Sequence, residues 1–214
     1  MDKNLLIDRV NDSIEKGEAL QSKLTPDILN IEGMSSSKVR CFLNNLVKEN
    51  TRYFEIGCWK GSTLISALYG NEPAFSVATD NFTEWTGGHY GEPKKEFYTN
   101  CKKYLGYIPN FYECDCFSIN LESINNINCY FYDGNHSADA HERAIIHFLP
   151  CLDNIFILIV DDWNFDWISN ATRSGIKKAD LKIHAEWVLP ADYAGDRAKW
   201  WNGIGVYVLE KTDF

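Results

Sequence analysis

Residues 53–63 read Tyr-Phe-Glu-Ile-Gly-Cys-Trp-Lys-Gly-Ser-Thr, and this stretch decides the fold. Tyr53 to Ile56 is a short apolar run that stops at Gly57. Cys58-Trp59-Lys60-Gly61 makes a turn, and Ser62 to Tyr69 reads as a helix. Glycine in such a turn lets the backbone approach a ligand, and the helix behind it offers free N–H groups. The spacing Glu55-x-Gly57-x-x-x-Gly61 is not the Gly-x-Gly-x-x-Gly dinucleotide fingerprint. It is not a phosphate-binding P-loop either, because Lys60 precedes Gly61 instead of following it.

The same alternation runs outward from this turn. Upstream, Leu5 to Glu15 reads as a helix with Leu6, Val10 and Ile14 on one face. A break follows at Thr25-Pro26 and Glu32-Gly33. Ser35-Ser36-Ser37 then offers an N-cap to a helix with the stripe Val39, Phe42, Leu43, Leu46 and Val47. Downstream, Ala74 to Ala78 is a second strand, closing on Thr79-Asp80. Asn81 to Glu92 is loop, and Pro93 opens a helix with Phe97, Cys101, Tyr104 and Leu105 inward. Asn110 to Glu113, Ile127 to Tyr132 and Ile155 to Val160 are further strands, and Ser137 caps a helix that turns Ile145, Phe148 and Leu149 inward. The all-apolar run Ile155 to Val160 is of the kind that is buried on both faces. Lys182 to Leu189 and Gly205 to Leu209 have no crossover helix between them and pair antiparallel at an edge. The expected fold is a three-layer, Rossmann-like α/β domain: a mostly parallel seven-stranded sheet, an antiparallel edge hairpin and helices on both faces. One domain is expected over residues 1–214, with residues 1–35 as an N-terminal helical extension.

In such sheets ligands lie beyond the carboxyl ends of the strands. Here those ends carry Glu55 and Gly57, then Asp80, Asp115, Asp133 and Asp161-Asp162. One such carboxylate is an ordinary turn residue. A whole series repels itself, and so calls for ligand hydroxyls, a cationic ligand or a metal. Asp80, about twenty residues past the glycine turn, is placed to accept both hydroxyls of a ribose.

The chain has 214 residues, 45% hydrophobic and 24% charged, with 21 Lys and Arg against 30 Asp and Glu for a net charge of −9. That balance argues against a nucleic-acid partner, which needs a basic face. No apolar stretch is long enough to span a membrane, and the first residues lack the apolar block of a signal peptide. The 7 cysteines are odd in number and mostly lie in apolar runs, which reads as free thiols in a reducing, cytoplasmic setting.

The segment Phe54 to Thr63 resembles the first motif of class I S-adenosylmethionine (SAM)-dependent methyltransferases. Asp80 and Asp115 match that superfamily's acids after the second and third strands. Asp133-Gly-Asn-His-Ser137 is similar to a stretch of the macrocin-type O-methyltransferases, and the likeness runs from about Ser36 to Val208. The resemblance implies a SAM site in which Glu55 faces the amino and sulfonium end and Gly57 and Gly61 underlie the cofactor. Asp80 would bind the ribose and Asp115 would sit beside the adenine, with Asp133 also at the cofactor. Trp59 and Ser62 could line the same turn. It further implies a divalent cation, Mg²⁺ or similar, on Asp133, Asp161 and Asp162, holding an acceptor hydroxyl; alternatively, Asp161 and Asp162 cap the next helix. The related sugar methyltransferases carry an aspartate base where this chain has Asn135, which leaves His136 as the candidate base, with Asp133 and Asp161 beside it.

His136, His141 and His147 do not share a helical face, so zinc is rejected, and His141 reads as a core residue. Trp163 is expected to border the pocket, with Glu84 to Tyr90 as a lid and Ala191 to Asn202 closing the other side. The expected activity is methyl transfer to a small-molecule acceptor, at oxygen. The rivals are a nicotinamide-dependent oxidoreductase and a non-catalytic module with a SAM fold. The sequence is silent on oligomeric state.

Overall fold

The computed structural model describes residues 2–212. Its strands are β1 (Arg52–Ile56), β2 (Phe75–Thr79), β3 (Asn110–Tyr112), β4 (Ile127–Tyr132), β5 (Leu152–Val160), β6 (Leu181–Leu189) and β7 (Ile204–Lys211). They form a 7-stranded sheet in the order β3-β2-β1-β4-β5-β7-β6. The first five are parallel, and β7 runs antiparallel to both β5 and β6. The connection between β6 and β7 has no helix, so the chain can only return antiparallel.

The helices are α1 (Lys3–Glu18), α2 (Pro26–Leu29), α3 (Ser37–Leu46), α4 (Ser62–Leu68), α5 (Pro93–Tyr104), α6 (Ala138–Phe148) and α7 (Asp166–Lys178). Side-chain alternation along the strands divides the core between two faces. Cys129 and Phe131 of β4, with Ile157 and Ile159 of β5, join a cluster that includes Leu6, Phe42, Leu64 and Phe97 from α1, α3, α4 and α5. Tyr130 and Tyr132, with Phe156 and Leu158, join Ile145, Phe148 and Ile168 from α6 and α7. The central strands are therefore largely apolar on both faces, with Glu55 and Asn128 among the exceptions, which suits burial between two helical layers.

The caps read from the sequence form. The Ser36 side chain accepts the Val39 N–H, and the Ser137 side chain accepts the Ala140 N–H. Asp161 and Asp162 do not cap α7, whose N-cap position is Phe165. The break expected at Pro26 contains the single turn α2, started by a proline that already holds a helical φ. β1 lies between β2 and β4 at the point where the strand order reverses, with Ile56 level with Thr79 and Tyr132. That register brings three strand ends to one rim, where a crevice opens.

Candidate active site

The turn after β1 is built by glycine and held by Asp80. Gly57 has φ +84°, and a Cβ there would lie 1.7 Å from the Asp133 carbonyl oxygen. Only glycine lets the end of β1 pack flush against the end of β4. Asp80 Oδ2 accepts the backbone N–H groups of Cys58 (2.8 Å) and Trp59 (2.7 Å), while Oδ1 accepts the Phe82 N–H (2.6 Å). One lone pair of Oδ1 remains for a ligand hydroxyl. Gly61, at φ +85°, occupies the N-cap position of α4.

A cavity of about 340 Å³ opens above this turn, within the range of small-ligand pockets. Gly57, Trp59 and Ser62 line it from the β1–α4 side. Asp80, Asp115, Asp133 and His136 line it from the ends of the other strands. Asp115 Oδ1 accepts the Phe117 N–H at 2.9 Å, which brings the Phe117 ring to the same wall. Seven of the residues expected at a cofactor or catalytic position thus converge on one space.

Glu55, Gly61, Asp161 and Asp162 are not on that wall. Glu55 alternates with Phe54 and Ile56, so it faces the α4 layer and is fully buried beneath that helix. Tyr53 Oη donates to Glu55 Oε2 at 2.5 Å and Thr63 Oγ1 donates to Oε1 at 2.6 Å. Burial outweighs these bonds and pushes its pKa up to about 8, so Glu55 is mainly a neutral acid at pH 7. This corrects the expectation that its carboxylate faces an ammonium group.

The three aspartates expected as a metal set do not come together. The side chains whose donor atoms lie within 4.8 Å of one another are Asp133, His136 and Asp162, without Asp161. Asp161 is 4% exposed, and its Oδ1 has no partner among the described residues. Burial, followed by the charges of Asp133 and Asp162, holds it well above the carboxylate range. Asp162 turns away at φ +59°. Its Oδ2 lies 2.9 Å from His136 Nε2, and its Oδ1 accepts the Asn202 side-chain N–H at 2.6 Å.

His136 lies between two acids, with Nε2 3.6 Å from Asp133 Oδ1. The neighbouring carboxylates of Asp133 and Asp162 raise its pKa to about 11. An imidazole held between two carboxylates keeps its proton at neutral pH, which disfavours the base role expected of it. Burial raises Asp133 to about 6 against the opposing pull of His136, a value suited to accepting a proton near neutrality.

Phe117 and Asp139 line the cavity without having been singled out from the sequence, and the loop expected as a lid contributes to its wall. Glu84 and Trp85 reach the wall from this loop, after β2, and Asn135 lines it as well. Two hydrogen bonds hold the loop there: Asn135 Nδ2 to Glu84 Oε1 (3.1 Å) and Trp59 Nε1 to the Trp85 carbonyl (2.8 Å). The only signal for this was the loop's Trp and Gly content. Trp163 does not border the cavity; it is 4% exposed, packed on Tyr207 and seated over Gly205. Trp167, 53% exposed, lies nearer, and its indole N–H donates to the His136 carbonyl at 3.1 Å. His141 is buried as expected, and burial lowers its pKa to about 4. No helix among the described residues is long and apolar enough to cross a membrane.

No family model matches the chain, and no curated protein matches it in sequence. Solved structures do match. M. jannaschii TYW2 in complex with AdoMet aligns at TM-score 0.56 and 12% identity, over 81% of this chain and 74% of that one. The SAH-bound methyltransferase PaMTH1 of Podospora anserina aligns at 0.57 and 14%, over 96% and 88%. An rRNA methylase from Streptococcus thermophilus aligns at 0.53 and 12%, over 81% and 94%. At these identities the likeness is one of fold, and the chain therefore has the Rossmann-like fold of the class I SAM-dependent methyltransferases.

Proposed function

We propose that the protein is a SAM-dependent methyltransferase acting on a hydroxyl of a small-molecule acceptor. The observation that carries this reading is the convergence of Asp80, Asp115 and Asp133 with the Gly57 turn on one cavity at the strand-order reversal. The donor set fits the cofactor. Asp80 keeps a free acceptor site for ribose hydroxyls, and Asp115 and Phe117 offer an acceptor and an aromatic face to adenine. Nicotinamide binding is disfavoured by the missing third glycine of its fingerprint.

SAM supplies an electrophilic methyl group on a sulfonium, so the protein's task is to place the acceptor and take its proton. Asp133 is the group on this wall suited to take that proton. The His136 imidazolium, set between Asp133 and Asp162, keeps the two carboxylates from repelling each other. Asp133, His136 and Asp162 are also the residues that could hold a divalent cation in place of the imidazolium proton, which His136 would have to release to ligate Mg²⁺ or Mn²⁺. Such a cation would lower the pKa of an acceptor hydroxyl. Loss of transfer after chelation, restored by Mg²⁺, is the outcome expected if it takes part.

The rRNA methylase among the structural relatives raises RNA as a second acceptor class. A net charge of −9 and a cavity walled by carboxylates favour an acceptor without a phosphate backbone. Isothermal titration with SAM tests the central claim: binding is expected in the wild type and is expected to be lost in Asp80→Ala. Unchanged affinity in that variant would remove the ribose assignment. Release of S-adenosylhomocysteine with small hydroxylated acceptors, and none with RNA, tests the acceptor class.

A further inference from the structure

With Glu55 sealed beneath α4, the cationic end of a bound cofactor needs another carboxylate. The acids on the cavity wall differ in how far they are already committed. Asp80 is tied to three backbone N–H groups, Asp115 bonds Phe117 beyond β3, and Asp133 is paired with His136. Asp139 sits in the first turn of α6, where the helix N-terminus already favours its charge. Glu84 is exposed, and its Oε1 accepts only a neutral amide, that of Asn135 at 3.1 Å. No described residue donates to its Oε2.

Two contacts fix where this carboxylate stands. The Asn135 bond crosses 51 residues of sequence and brings the loop against the segment that follows β4. The Trp59–Trp85 bond ties the same loop to the glycine turn after β1. Glu84 is thereby held at the cavity mouth, between the β1 turn and the end of β4. The adenosyl-binding acids Asp80 and Asp115 stand after β2 and β3, on the other side of β1.

We propose that Glu84 is the anion that meets the positively charged end of SAM, its ammonium and sulfonium, with Asn135 orienting the carboxylate. This rests on the SAM reading above and adds a residue from outside the strand ends. It also gives the loop a function, because cofactor and loop then hold each other in place.

Glu84→Gln tests the charge alone, since glutamine still offers an oxygen to Asn135. Isothermal titration of SAM into the full chain is expected to show about tenfold weaker binding, and Glu84→Lys a loss of about a hundredfold or more. Glu92→Gln removes one charge from the same loop away from this cavity and is expected to stay within twofold of wild type. Thermal melts of the variants confirm that each is folded, as substitutions at an exposed loop site should be. Wild-type binding with Glu84→Gln within twofold of it would overturn this inference and leave the SAM reading intact. An equal loss in Glu92→Gln would also overturn it, by showing a general charge effect. Absence of SAM binding in the wild type would overturn the cofactor reading, and this inference with it.

Discussion

A carboxylate's chemistry depends on which donors reach it and how much water is left, and the acids here span that range. Asp80 is anchored by three backbone N–H groups. Glu55, one strand away, accepts two hydroxyl bonds, yet burial keeps it protonated to about pH 8. The unfolded chain would release that proton near pH 4.3. Between those values the folded state holds a proton that the unfolded state lacks, so Glu55 makes stability fall as pH rises from about 4.3 to about 8. Glu55→Gln keeps the shape and removes the titration. Its melting temperature relative to wild type is expected to rise across that window, by the equivalent of roughly 1–3 kcal/mol. A constant offset between pH 5 and pH 8 would show that Glu55 is ionised in the fold.

At the scale of one element, the β1–turn–α4 unit depends on two glycines for different reasons. At Gly57 an added Cβ meets a backbone carbonyl at 1.7 Å, an atom that cannot swing aside. At Gly61 the nearest atoms are the Ile65 and Phe97 side chains at 3.2 Å, which can adjust by a few tenths of an ångström. Both residues have positive φ, which costs a side chain about 1–2 kcal/mol. Gly61→Ala is therefore expected to lose about 1–2 kcal/mol in urea denaturation. Gly57→Ala is expected to lose more than about 3 kcal/mol and to weaken SAM binding, because the β1 and β4 ends must separate. Equal losses in the two variants would mean that the turn relaxes freely.

Across the whole molecule, the cavity is coupled to parts of the chain far from it. The buried Lys60 ammonium pairs with Glu32 of the N-terminal segment (2.9 Å) and Glu96 of α5 (3.1 Å), and it lies 4.5 Å from the Trp59 ring centroid. The β6–β7 connection contributes Asn202, whose amide holds Asp162. A ligand seated in the cavity touches residues from several strand ends and loops at once, and binding to the folded state alone raises stability. At a SAM concentration 100 times the Kd the gain is about 2.7 kcal/mol. For a chain of this size that is expected to raise Tm by roughly 5–10 °C, read by differential scanning fluorimetry. No shift at saturating SAM would count against the proposed function.

The sequence by itself determined the sheet, its two helical layers and the strand ends that face the cavity. Largely apolar strands and striped helices leave few other ways to exclude water, and turn residues mark where several of the elements stop. Asp80, Asp115 and Asp133 were legible for that reason, as residues that end strands. Tertiary structure alone decided which acids are ionised and which groups meet across the crevice. Strand alternation turned Glu55 under α4, the φ of +59° at Asp162 separated it from Asp161, and His136 came to lie between two aspartates. Glu84 reaches Asn135 from a separate loop, across 51 residues. Burial and long-range hydrogen bonds arise between segments distant in the chain, so local pattern carries no record of them.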